Sequence, residues 1–330
     1  MRLPLIALTL CFLAIALHQK TSAQNASPAP TTAAPIDVAK FDYQGRAADA
    51  EWRKAAAERI EKYRKGDLTV KVVDAEGRPI DGAKVDIAMQ RHAFKFGSQV
   101  QVELICDDTE TGKAYRKNFL ELFNYATVNS FYYMQWKRPS MVDGIRKKSY
   151  QTIDWMQQHD IPMRGHVLVW YLKDDNINKS KEEVRQLALD HINMKAGDPK
   201  IAGAIDQWDV QNEPCSNSDI YNKLGRESIV DWFRITEMLD PDAKLYLNEA
   251  GLISRTDNPK WRDRQDFTFE LVKYLKENEA PIDGLGLQSH HVGSLAAIDD
   301  VIAGLDRFAQ LGIELQITEY DIKLIPAVEK

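Results

Sequence analysis

Beyond position 92 the chain alternates short apolar runs with longer stretches of helical periodicity. The runs are Phe94–Val100, Tyr125–Asn129, Pro162–Val169, Ile205–Val210, Lys244–Leu247, Asp283–Gln288 and Ile313–Ile317. Each reads as a strand buried on both faces. Between them, Val184, Leu187, Ala188 and Ile192 form one stripe, and Phe267, Leu271, Tyr274 and Leu275 a second. Ile298, Val301, Ile302, Leu305 and Phe308 form a third, all at the spacing of helices with a single apolar face. Such alternation predicts parallel β/α units, arranged as an open doubly wound sheet or a closed barrel. No G-x-G-x-x-G or G-x-x-x-x-G-K-[ST] follows any run, which disfavours a nucleotide site. The strand ends decide between the two. Arg164-Gly-His166, Asn212-Glu213, Asn248-Glu249, Gln288-Ser-His290 and Thr318-Glu319 all stand there, and a barrel gathers the C-terminal ends of its strands into one mouth. The barrel is the better reading.

Upstream the pattern differs. Trp52, Ala56, Ile60 and Tyr63 predict an amphipathic helix over Ala47–Lys65. Leu68–Val73 and Ala83–Ala88, on either side of Asp74-Ala-Glu-Gly77, predict a β-hairpin or small β-sandwich segment. Arg2, the apolar run Leu3–Leu17 and the small residues of Thr21-Ser22-Ala23 read as a secretory signal peptide. The run is shorter than the roughly 20 residues of a membrane span. The expected organisation is a signal peptide (1–23), an Ala/Pro/Thr-rich linker (24–40), a helix with a β-hairpin or small β-sandwich segment (41–91) and a catalytic domain (92–330). The expected location is secreted, periplasmic or extracellular, with no membrane contact once the signal is removed.

Composition narrows the function classes. With 44% hydrophobic and 28% charged residues the chain is neither disordered nor polytopic, and a net charge of −6 without a Lys/Arg block excludes a nucleic-acid footprint. Outside the leader only Cys106 and Cys215 remain. A bridge and two free thiols fit equally well, and their spacing matches no zinc site.

Two carboxylates stand out. Glu213 closes Trp208-Asp-Val-Gln-Asn-Glu213, and Glu319 follows Ile317-Thr. A lone strand-end glutamate is more often a structural acceptor, but two opposed carboxylates can cleave a glycosidic bond. Glu249, beside Asn248, reads as supporting. His166, His290 and His291 could bind a metal with nearby acids, yet no H-E-x-x-H pair occurs. A serine esterase lacks its G-x-S-x-G elbow. No metal and no cofactor are expected.

At these residues the chain, from about His92 to Ile322, resembles glycoside hydrolase family 10, the retaining endo-β-1,4-xylanases. The resemblance rests on Phe96-Gly-Ser98, Phe123-Asn124, Arg164-Gly-His166-Val-Leu-Val-Trp170, Trp208–Glu213, Leu245-Tyr-Leu-Asn248, Gly286-Leu-Gln288-Ser-His290 and Ile317-Thr-Glu319-Tyr-Asp321, in the family's order. It implies a (β/α)8 TIM barrel acting on a polysaccharide, xylan or a related β-1,4-glycan. Glu213 would be the acid/base and Glu319 the nucleophile, with carboxyl groups about 5–5.5 Å apart. Asn212 would meet the sugar 2-hydroxyl and His290 the nucleophile, while His166, Trp170 and Gln288 would line the glycone side. Asn129 and Trp136 fall in the strand 2 region that contacts sugar, and Asn248, Glu249 and Asp321 would support.

Departures qualify that picture. Asn129-Ser130 stands where the family has Glu-Asn, Tyr171 where it often has His, and Glu249-Ala250-Gly251 where it has an Asp-aromatic pair. Between Glu319 and Lys330 there is no room for a further β/α unit, so the expected fold is a barrel lacking its eighth unit. Two alternatives stay open: a barrel glycosidase for another β-1,4-glucan, and an inactive barrel that binds carbohydrate.

Overall fold

The apolar runs become the strands of one parallel sheet: β1 Gly97–Gln99, β2 Tyr125–Val128, β3 Met163–Gly165, β4 Gln207–Asn212, β5 Lys244–Glu249, β6 Gly284–Leu287 and β8 Glu314–Ile317. Their order is β1-β2-β3-β4-β5-β6-β8, with every neighbouring pair parallel. Two short strands beyond the sheet, β7 His290–Val292 and β9 Asp321–Lys323, pair with each other. The computed structural model describes residues 43–131, 139–172, 174–254, 256, 258–292 and 295–323. The expected signal peptide and linker, and Trp136, lie outside the described residues. So do the other residues of 132–138.

Helices Glu110–Leu122, Pro139–Gln158, Lys181–Lys195, Arg226–Leu239, Trp261–Glu277 and Ile298–Ala309 separate the strands. The predicted stripes face inward. Val184, Ala188 and Ile192 are buried on one helix, Leu271 and Leu275 on another, and Phe308 on a third. Helix Lys181–Lys195 begins in a capping box of Ser180 and Glu183, which satisfies two otherwise orphaned donors. No helix among the described residues is long and apolar enough to cross a membrane.

The central strand carries the decisive irregularity. All of β4 is buried, and its register against β5 shifts between Asp209 and Gln211. A bulge of this kind breaks the strict two-residue alternation. Asp209 and Asn212, at an odd spacing, therefore both reach polar side chains of neighbouring strands. Trp208 points the other way, fully buried, with its indole N–H donated to Asp240 at 2.8 Å. Its ring lies against Gly165 of β3, where an added Cβ would stand 2.2 Å from it. Only glycine allows that approach.

The segment before the sheet departs from expectation. The helix forms, over Glu51–Arg64, but none of its residues is buried, and Ile60 and Tyr63 are exposed. The predicted hairpin is reduced to one antiparallel bridge, Val73↔Pro79, around a turn held by Asp74 Oδ1, which accepts from the amides of Glu76 and Arg78. The flanking runs are not strands, and Leu68, Val70, Val85 and Ile87 stay exposed. A two-stranded ribbon with no layer beneath it is marginal in water. The alternating pattern was present, but nothing among the described residues covers its apolar face.

The Gly165 contact gives a direct check. Gly165→Ala forces a clash with Trp208 and is expected to cost about 1–3 kcal/mol, seen as a lower thermal unfolding midpoint. Gly144→Ala, within helix Pro139–Gln158 and with no atom within 4 Å of the added Cβ, serves as control and holds or raises the midpoint. Equal midpoints for the two variants would contradict the packing described.

Candidate active site

The site is built on a buried ion pair. Arg164 on β3 and Asp209 on β4 are each 1% exposed and bind through two guanidinium nitrogens, Nε at 3.1 Å from Oδ2 and Nη2 to Oδ1. Arg164 also donates to Gln207 at 3.2 Å and to Gln316 on β8 at 2.7 Å. Asp209 Oδ2 lies 2.9 Å from His166 Nδ1. Burial pushes the Asp209 carboxyl up, but the charge of Arg164 and the His166 bond outweigh it and hold the group below its ordinary value. His166 shows the mirror case. Burial pushes its imidazole down, and the Asp209 carboxylate reverses this and raises it.

Above this base lies a group of amides. Asn248 on β5 pairs in register with Asn212 on β4 and with Gly286 on β6. Its Nδ2 donates to Asn212 Oδ1 at 2.9 Å and to Glu319 Oε1 at 2.7 Å. Its Oδ1 accepts from the Thr318 hydroxyl at 2.7 Å. Gln288 Nε2 donates to Asn212 Oδ1 at 3.1 Å and to Glu213 Oε1 at 2.9 Å. Asn248 and Gln288 thus link the two carboxylates through Asn212. The resemblance grouped these residues, and the structure brings Glu213, Glu319, Asn212, Asn248, Gln288 and His290 together.

Glu213 sits in a tight turn at the end of β4 with φ +54°, a left-handed conformation uncommon for a residue with a side chain. Its own amide donates to Asn248 O at 2.7 Å, and Asn217 N donates to its carbonyl at 2.9 Å. Its carboxyl Oε2 accepts from Trp170 Nε1 at 3.0 Å and from the Asn217 amide. Glu319, past β8, contacts His290 Nε2 at 3.0 Å, while His290 Nδ1 lies 3.0 Å from Asp321. Burial pushes the Glu319 carboxyl up, but His290 and His166 outweigh it and hold it low. For His290 the Glu319 bond dominates, burial opposes it, and Asp321 adds to it. The imidazole is pushed up to about 9.

Other expected residues fall differently. Asn129 is half-buried at the end of β2, and neighbouring Ser130 turns into the packing, its hydroxyl 2.7 Å from that of Ser149. Ser130 therefore faces a helix rather than the strand-end cluster. Cys106 and Cys215 are free thiols. A cavity of about 1060 Å³ runs beside the edge strands and reaches Glu319, His290 and His166, but Glu213 and Trp170 do not line it. The amides of Asn212, Asn248 and Gln288 do not line it either.

Three structural contributors escaped the sequence reading: Asp209, Asn217 and Lys195. Asp209 lay inside the quoted Trp208–Glu213 motif. Lys195 continues the buried stripe one turn beyond Ile192 and is wholly buried. Its ammonium donates to the carbonyls of Val167 and Leu168 at 2.6 and 2.9 Å, between His166 and Trp170, and burial pulls it down to about 7. Asn217 follows a turn whose conformation no local motif announces.

The family model described as Glycosyl hydrolase family 10 matches residues 84–329. Endo-1,4-beta-xylanase A of Humicola insolens is 35% identical over 189 residues, covering 53% of this chain and 47% of that protein. Anti-sigma-I factor RsgI6 of Acetivibrio thermocellus is 27% identical over 280 residues, 82% of this chain and 34% of that protein. The chain thus spans less than half the length of either relative. Among solved structures, a GH10 endoxylanase retrieved from a sugarcane soil metagenome superposes with a TM-score of 0.59 at 26% identity, covering 71% of this chain and 69% of that one.

The His290 environment has a measurable signature. A group raised in the fold adds stability that is complete below its unfolded value, near 6.5, and is lost as pH rises through about 9. NMR titration of His290 in the full chain is expected to show a midpoint near 9, lowered by Asp321→Asn. A midpoint near 6.5 in the unmodified chain would refute the two-carboxylate clamp.

Proposed function

Because the chain belongs to glycosyl hydrolase family 10, we propose that it is a retaining endo-β-1,4-xylanase, hydrolysing xylan by double displacement. One observation carries the mechanism: Glu213 and Glu319, at the ends of separate strands, are tied to one amide cluster through Asn248, Asn212 and Gln288. In this reading Glu319 attacks the anomeric carbon while Glu213, starting protonated, gives its proton to the leaving oxygen. A glycosyl ester on Glu319 results, and Glu213 then takes a proton from water as that water releases the sugar. The lowered Glu319 carboxyl suits a nucleophile, which must be ionised. Asn212 Nδ2, buried and without a hydrogen-bond partner among the described residues, is the donor for the sugar 2-hydroxyl. His166 and Trp170 flank the same side, their rings 5.8 Å apart. We also propose export of the chain by cleavage after Ala23, checked by N-terminal sequencing of secreted protein, which should begin at Gln24.

The enzymatic reading is tested with aryl β-xylobioside. Glu319→Ala should reduce kcat/KM by about 10⁴-fold or more, and NMR of the first product should show retained anomeric configuration. Equal product release from the parent chain and Glu319→Ala would defeat it, leaving a carbohydrate-binding barrel. Ser130 packs against Ser149 where the resemblance would place a sugar-contacting amide, so the substrate needs its own comparison. Preference for aryl cellobioside over aryl xylobioside would move the assignment to a β-1,4-glucan.

A further inference from the structure

Glu249, the last residue of β5, is wholly buried and is not used by the two-carboxylate mechanism. Its carboxylate accepts from three donors, two of them in the turn that follows Glu213. Oε2 takes the Cys215 amide at 2.7 Å, and Oε1 takes the Ser216 hydroxyl at 2.6 Å and the Ala250 amide at 2.8 Å. The same turn begins with Glu213 at positive φ and closes when Asn217 N donates to Glu213 O. The Asn217 side-chain amide then reaches the Glu213 carboxyl. Hydrogen bonds thus tie Glu249 to residues 215 and 216, and the peptide chain carries that anchorage to Asn217, whose side-chain amide reaches the Glu213 carboxyl.

We propose that Glu249 is a positioning residue for Glu213: its hydrogen bonds to Cys215, Ser216 and Ala250 fix the turn that aims the acid/base carboxyl. The inference rests on the assignment of Glu213 as acid/base. Several groups face Glu249. From the β4 turn come Glu213, the Cys215 thiol and the Ser216 hydroxyl, and Arg264 approaches from helix Trp261–Glu277, donating to Ala250 O at 3.2 Å. Burial pushes the Glu249 carboxyl up to about 7, the three donors opposing this and the charge of Glu213 adding to it. Below that pH Glu249 is neutral. Above it, a new negative charge lies beside Glu213 and disfavours a second one.

The test is a pH series of kcat/KM on the full chain with two aryl β-xylobiosides. One carries a dinitrophenolate leaving group that departs without protonation, and the other a poor leaving group that requires it. Glu213→Ala is run first: a loss of kcat/KM, which reads formation of the glycosyl ester alone, confined to the poor leaving group upholds the acid/base assignment, and an equal loss of kcat/KM on both substrates refutes it independently of Glu249. With the assignment upheld, Glu249→Gln should lower kcat/KM on the poor leaving group by about 10-fold, with kcat/KM on the dinitrophenyl substrate little changed. Its alkaline limb should move to lower pH by about half a unit. Ser216→Ala removes one donor from Glu249 at a half-buried site and should shift the limb the same way by less. Glu249→Asp, which restores the charge, should return the limb towards its original place. If both Glu249→Gln and Ser216→Ala leave the limb unmoved, or both substrates lose activity equally, Glu249 is structural only and the proposal fails.

Discussion

The Arg164–Asp209 pair is the constraint on which the rest of the site depends. Two opposite charges at 1% exposure must satisfy each other, because an unpartnered buried charge costs about 3–5 kcal/mol. The pair does more than neutralise itself. Through Gln207 and Gln316 the guanidinium reaches β4 and β8, and through Asp209 it orients His166. Strand positions that could slide against one another are thereby referred to a common centre. The Asn248–Asn212–Gln288 cluster stands on that base, and the carboxyls of Glu213 and Glu319 are attached to the cluster.

Much of this was legible in the chain. Strand–helix alternation identified the parallel sheet, and the polar residues at strand ends identified the side where the two carboxyls and the amide cluster gather. Both signals survive folding because they follow from periodicity and from the geometry of β/α units. The cross-links were less legible. The bulge after Asp209 changes which residues of β4 share a side, and nothing in Asp-Val-Gln-Asn announces it. Lys195 was hidden by its chemistry: it occupies a core position of its helix but is not apolar. Asn217 depends on a backbone turn that local composition does not specify.

The N-terminal segment failed for a different reason. Alternation of apolar and polar residues in Leu68–Val73 and Ala83–Ala88 describes a strand with one face to bury, but it does not supply the layer that buries it. The structure keeps the turn, held by local hydrogen bonds from Asp74, and leaves the flanks extended and exposed. Local interactions were predictable from sequence there, and the tertiary one was not.

The two carboxylates rest on supports of unequal stiffness. Glu213 follows β4, buried along its whole length and paired on both sides. Glu319 follows β8, which pairs with β6 alone among the described residues and has exposed or half-buried positions throughout. Edge strands open at lower free energy than central ones. Among the described residues, Glu319 is therefore held less by strand pairing than Glu213 is. The contacts that hold it include the Asn248 amide, the Thr318 hydroxyl, the His290 imidazole beside Asp321 and the pairing of β9 with β7. These contacts act as struts across the strand ends, fastening the last strand to the central ones.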